Sequence, residues 1–356
     1  MERKEMEPKE RVESVLKKKK PDKIPFTIYE NKLPQCQVER ILRNKGLCIV
    51  KRISVYKTVY PNLNFKNITY TENGITYTKS IIYTPFGELE TTYRKTDQTE
   101  DFTTWKITHL FKTPDDYKKI LFMIKDANHI PDYERFLKVE KECGSDIFIR
   151  GSISSTPLHQ IMVDFMGIEK FAEEWAERRD EIENLYKVMA EKLRDIYRIC
   201  ANSPCFSFNF GGNETGNVMG RERFEKYVIP LYYEASDVLH KKGKVFGPHL
   251  DGNNRVWADL IAKAPIDYVE AFSPSPDTDM EFQDAYNLWK DKILWINFPS
   301  SLHLASEEKI KETVRKYIEI AKNDYRLIIG VTEDIPKERW QKNLLLISEV
   351  IDSFIF

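Results

Sequence analysis

The stretch Lys244-Val-Phe-Gly-Pro-His249-Leu-Asp251-Gly-Asn-Asn254 decides how this chain reads. A short apolar run ends in a histidine and an aspartate two positions apart, then breaks at once into Gly-Asn. Alternate residues of a strand point to the same side. His249 and Asp251 are therefore expected to project together from a strand's C-terminal end, where an α/β barrel builds its active site. Imidazole plus carboxylate is a hard-to-borderline donor set, suited to a zinc ion that polarises an oxygen. Taken alone, the pair reads equally well as a core histidine beside a turn aspartate.

On both sides of this stretch, short apolar runs alternate with amphipathic helical segments. Strands are expected at Ile24–Glu30, near Leu47–Ser54, and at Asp146–Arg150, Cys205–Phe210, 244–250, Ile266–Phe272, Ile293–Phe298 and Tyr325–Gly330. Helices are expected at about Pro8–Lys20, where Pro21 stops the first, and at 114–128, 132–142, 158–201, 222–242, 254–263, 280–290, 306–322 and 336–354. Apolar strands alternating with helices indicate a parallel sheet, and eight of them favour a closed (β/α)8 barrel. Residues from about 48 to 100 follow another rhythm. Val55–Tyr60, Ile68-Thr-Tyr-Thr, Ile75–Tyr83 and Gly87–Tyr93 alternate with period two, and Asn73-Gly74 is a hairpin signal. The expected organisation is one barrel domain over 1–356 with an antiparallel β insertion at about 48–100. That insertion reads as a lid, a docking surface or plain sheet packing.

Composition narrows the function classes. With Lys+Arg 55 against Asp+Glu 56, the formal charge of −1 gives no reason to expect nucleic acid or an anionic membrane as partner. No apolar run approaches the ~20 residues that span a bilayer. The charged start does not read as a signal peptide. Five scattered cysteines (36, 48, 143, 200, 205) form no CxxC, so no disulfide framework is expected and the chain reads as cytoplasmic.

In a barrel, one polar cluster falls at the strand C-termini: Glu214 after Gly211-Gly212, His249 and Asp251, Glu270, and Glu333 with Asp334. Each acidic residue alone is most often solvated surface; convergence on one face raises the joint odds. Three ligands with an open position describe a catalytic zinc. Ser152, Ser154 and Ser155 are candidates for polar substrate contacts, and His303 is an outside candidate at the mouth. His159 reads as an early helix residue and Cys205 as core. There is no P-loop, no G-x-S-x-G elbow and no dinucleotide fingerprint.

Pro21-Asp-Lys-Ile-Pro-Phe26, Gly212-Asn-Glu-Thr-Gly216, His249-Leu-Asp-Gly-Asn253 and Thr332-Glu-Asp-Ile-Pro336 resemble the uroporphyrinogen decarboxylase superfamily over nearly the whole chain. That superfamily is a (β/α)8 barrel group of tetrapyrrole decarboxylases and corrinoid-dependent methyltransferases. The decarboxylases carry Arg-Gln-Ala-Gly-Arg where this chain has Tyr29-Glu-Asn-Lys-Leu-Pro-Gln35, so the arginines that would bind tetrapyrrole carboxylates are missing. The thiol-methylating branch has cysteines where Asp251 and Glu333 stand. Tyr29-Glu30-Asn31, Gly46–Val50 and Glu270–Met280 look like the methyltransferase I component of O-demethylase systems in anaerobes.

The resemblance implies methyl transfer from a methoxylated aromatic to the corrinoid (cobalamin) of a separate protein. It ranks His249, Asp251 and Glu333 as metal ligands and catalytic residues, with Glu214 and Glu270 competing for a further ligand or orienting role. It implies substrate contacts from Tyr29, Glu30, Glu214 and Phe272. Phe210, Phe246, Phe272 and Trp295 are read as substrate-ring partners or as packing. Three alternatives stay open: another methyl donor or a thiol acceptor, a metal-independent decarboxylase-like lyase, and a non-enzymatic corrinoid or tetrapyrrole binder. Whether the chain forms a homodimer is left open.

Overall fold

The computed structural model describes residues 5–95 and 104–356. The chain folds into two compact units, one of residues 1–55, 132–154 and 200–356 and the other of 56–131 and 155–199.

The first unit holds eight parallel strands: β1 (Phe26–Tyr29), β2 (Leu47–Ile53), β3 (Ile147–Ser152), β4 (Ser207–Asn209), β5 (Val245–Gly247), β6 (Tyr268–Phe272), β7 (Ile293–Asn297) and β8 (Leu327–Val331). Each pairs with its sequence neighbours except across β5 and β6, and β8 pairs with β1. The seam between β5 and β6 is closed by single rungs. The Asp267 amide donates to Phe246, Glu270 to Pro248 and Leu250 to Glu270, each at 2.9 Å, and His249 is bridged in parallel to Glu270. The sheet is therefore a TIM-type barrel, as the alternating pattern predicts.

Helices cover the outside because their apolar stripes need a partner. A helix at Gln37–Asn44 lies between β1 and β2. Tyr133–Glu142 precedes β3, and Glu307–Ala321 and Trp340–Asp352 follow β7 and β8. The segment predicted as one helix over 222–242 is two, Arg221–Tyr227 and Ile229–Leu239. Pro230 lacks the amide that would join them. The first helix, α1 (Pro8–Leu16), stops short of Lys20. Its Val12, Val15 and Leu16 enter one apolar cluster with Cys48, Val50, Phe148, Tyr268, Trp295 and Ile328, which plugs the barrel from below. Burying each aliphatic side chain there contributes about 1.5–3 kcal/mol.

The second unit contains the antiparallel strands expected from the period-two pattern. A four-stranded sheet runs in the order Asn64–Glu72, Ile75–Thr84, Gly87–Lys95, Thr104–Thr108. The Asn73-Gly74 hairpin turns with φ of +50° and +77°, and Glu72 faces Ile75. Tyr56–Val59 pairs separately with Asn128–Pro131. The helix predicted over 158–201 breaks at Gly167, whose φ is +80°, and again at Arg178; the long piece is Arg179–Asn202. Among the described residues no helix is long and apolar enough to cross a membrane.

Candidate metal centre

His249 follows β5 directly, and the rung that closes the barrel sets it beside Glu270 of β6. Parallel partners share a face, so both side chains enter the barrel mouth. The loop after β4 packs against this point, and the Asn213 amide donates to the His249 carbonyl at 3.2 Å.

One ligand atom each from His249, Asp251 and Glu333 lies within 4.8 Å of the other two. His249 Nε2 is 3.6 Å from Asp251 Oδ2. The other imidazole nitrogen is engaged: Nδ1–H donates to Glu270 Oε2 at 2.6 Å. With Nδ1–H held by Glu270, Nε2 is the nitrogen turned toward the two carboxylates, the one a metal would take in exchange for its proton.

Glu270 is wholly buried. Its Oε1 accepts the Tyr29 hydroxyl and lies 2.7 Å from Arg150 Nη1, an ion-pair distance without hydrogen-bond alignment. Arg150 Nη2 donates to the Tyr29 oxygen at 3.1 Å, and that oxygen is 3.3 Å from His249 Nδ1. Burial alone would push the Glu270 carboxyl up; Arg150 first, then His249, outweigh it and hold it at about 2. Burial would likewise depress His249, yet Glu270 and Asp251 raise it to about 10. Burial and the neighbouring Asp251 charge raise Glu333. The field at this point therefore favours an added positive charge, and a divalent cation fits both the donors and the field.

The remaining expected residues are placed elsewhere. Glu214 is fully buried, and its Oε2 accepts the Gly212 amide at 2.9 Å, outside the three-ligand group. Glu30 is exposed and pairs with Lys51, and Asp334 with Lys32. Phe272 does not reach the mouth. A bulge between Glu270 and Phe272, with Ala271 at φ +58°, reverses the alternation. Glu270 then pairs with inward Trp295 while Phe272 pairs with Ile296, and the Phe272 ring packs edge-on against Trp289. Phe210 meets Tyr232 and Phe246 meets His240, also as packing. Trp295 fills the barrel interior against Phe148 and Tyr268. His303 is buried beside Phe298 and held by Asn343. Ser152 is exposed at the end of β3. His159 closes the short turn Pro157–His159 in the second unit.

Sequence reasoning missed Arg150. The available signal was a charged residue ending the apolar run Ile147-Phe-Ile, in phase with inward Phe148. Arg52 escaped notice in the same way; its guanidinium lies over the Tyr29 ring, 4.1 Å from the centroid.

No protein-family model and no curated protein sequence matches the chain. Solved structures do. A methyltransferase from Methanosarcina mazei superposes with a TM-score of 0.58 at 12% identity, over 98% of this chain and 99% of that one. The pneumococcal virulence factor StrH, described for N-glycan recognition and hydrolysis, reaches 0.39 at 10% identity over 96% and 84%. A broad-specificity endoglucanase from an uncultured bacterium reaches 0.37 at 7% over 90% and 86%. The last two overlap too loosely to carry an argument. The first establishes that this chain shares its fold, end to end, with a methyltransferase.

Proposed function

We propose that the chain is a zinc-dependent methyltransferase that cleaves an aryl methyl ether and passes the methyl group to the reduced corrinoid of a separate protein. The observation that carries this reading is the His249–Asp251–Glu333 group at the barrel mouth, an imidazole and two carboxylates with no thiolate. The shared fold with the methyltransferase from Methanosarcina mazei agrees with it, as do the sequence motifs around Tyr29, His249 and Glu270.

His249, Asp251 and Glu333 would hold the ion. When bound, zinc supplies Lewis acidity to the departing phenolate oxygen, and oxygen ligands leave it more electrophilic than thiolates do. The chain's residues do the rest. Glu270 keeps the Nδ1 proton on His249 and so directs Nε2 at the group. Tyr29 packs its ring under Arg52 and fixes one wall of the mouth. Since the nucleophile comes from the partner, this chain contributes positioning and leaving-group activation.

The test is anaerobic incubation of the zinc-loaded chain with a reduced corrinoid protein and a panel of methoxylated aromatics. Free phenol and the absorption change of the methylated corrinoid are followed together. Phenol release matching corrinoid methylation is the expected result. No phenol from any panel member, with metal bound, overturns the proposal.

A further inference from the structure

Arg150 is 2% exposed and lies inside the barrel just below the mouth. Removing a guanidinium from water costs several kcal/mol unless its partners are well placed. Its partners here are few: Glu270 through Nη1, the Tyr29 hydroxyl through Nη2, and no acceptor at Nε among the described residues. The guanidinium also faces the Tyr29 and Trp295 rings, at 5.5 and 5.7 Å from their centroids. Such incomplete pairing is a poor stabilising device, since a well-packed apolar residue of similar volume often does as well. Its geometric effect is specific. Arg150 and Tyr29 both engage Glu270 Oε1, which leaves Oε2 as the oxygen that takes His249 Nδ1–H.

We propose that Arg150 is the positioning residue of the metal group: by pairing its charge with one oxygen of Glu270 and holding Tyr29 on that same oxygen, it leaves the other to His249 and so aims Nε2 at Asp251 and Glu333. This rests on the reading of His249, Asp251 and Glu333 as metal ligands. Arg150 touches no ligand atom itself, and acts through Glu270. Losing the partner bonded to a ligating histidine, the role Glu270 has here, typically costs 10–100-fold in metal affinity, which bounds the effect of removing Arg150.

The experiment titrates the full-length chain and its variants with zinc against a chromophoric chelator, and separately with cobalt(II), reading the visible bands that report ligand geometry. Arg150→Met is expected to lose up to about 10–100-fold in affinity and to change the cobalt band envelope. Arg150→Lys keeps the charge but cannot span Glu270 and Tyr29 together, so its affinity should fall between the two. If Arg150→Met fails to fold, judged by circular dichroism, the Lys variant decides by the same two readouts. Wild-type affinity and unchanged cobalt bands in a folded Arg150 variant overturn the inference while leaving the metal reading intact. Absence of metal binding by the wild-type chain overturns both, and is distinguished by its appearing before any substitution is made.

Discussion

Among the described residues two arginines are buried almost completely, and their ion pairs are built in opposite ways. Arg11, 1% exposed on α1 beneath the barrel, forms a fork with Asp22: Nε to Oδ1 at 2.6 Å and Nη2 to Oδ2 at 2.8 Å. Nη2 also donates to the Met6 carbonyl, and the same carboxylate accepts the Met6 and Lys23 amides. Burial would raise the Asp22 carboxyl, but Arg11 and these amides hold it below its ordinary value. Together these bonds tie the N-terminal helix to the segment around Asp22. Arg150 instead grips one oxygen of Glu270 and leaves the other to an imidazole. Asp22 gives both oxygens to one guanidinium and fastens; Glu270 divides its oxygens between Arg150 and His249 and directs.

The largest effect should come from breaking the directing pair at its outer end. His249→Ala is expected to lower zinc affinity on the order of a thousandfold, about 4 kcal/mol, as read by metal titration of folded protein. Arg11→Met should do the reverse. It is expected to cost about 3 kcal/mol of stability by leaving Asp22 unpaired, shown by a lower denaturant midpoint, with zinc affinity unchanged. A drop in affinity there would erase the distinction between the two ends.

His303 sharpens the contrast with His249, because no carboxylate grips it. Burial pushes it down from 6.5 to about 4, with Asp277 opposing. The folded state thus binds the proton less readily than the unfolded chain. Stability should be intact above pH 6.5 and fall between 6.5 and 4, by up to about 3 kcal/mol. His303→Gln should flatten that part of the pH–stability curve; an equally steep curve in the variant would reject the assignment. The smallest effect is expected in the second unit. Gly74→Ala places a Cβ on a residue at φ +77° with nothing within 4 Å, so only backbone strain is added, about 1 kcal/mol. Zinc affinity should not move.

The barrel was legible because its strands are buried on both faces and read as unbroken apolar runs, from Phe26–Tyr29 to Leu327–Val331. The His249/Asp251 spacing was legible because strand geometry is periodic. The helix Gln37–Asn44 was not, since Leu42 is its one buried residue and a single apolar position makes no stripe. Phe272 was misplaced because its orientation turns on Ala271 adopting a left-handed conformation, which no alanine announces. Arg150 was invisible as a site residue because its meaning comes from a carboxylate 120 positions away, brought near only when the chain has wound round the barrel wall from β3 to β6.

The closing rungs of the wall have one more consequence. The amides of Glu270 and Leu250 that join β5 to β6 flank the very residues that orient the imidazole. A fluctuation that unzips this joint must also swing His249 off its carboxylate. A cation held by His249, Asp251 and Glu333 would tie the loop after β5 to the loop after β8 across the mouth, and so would oppose that fluctuation.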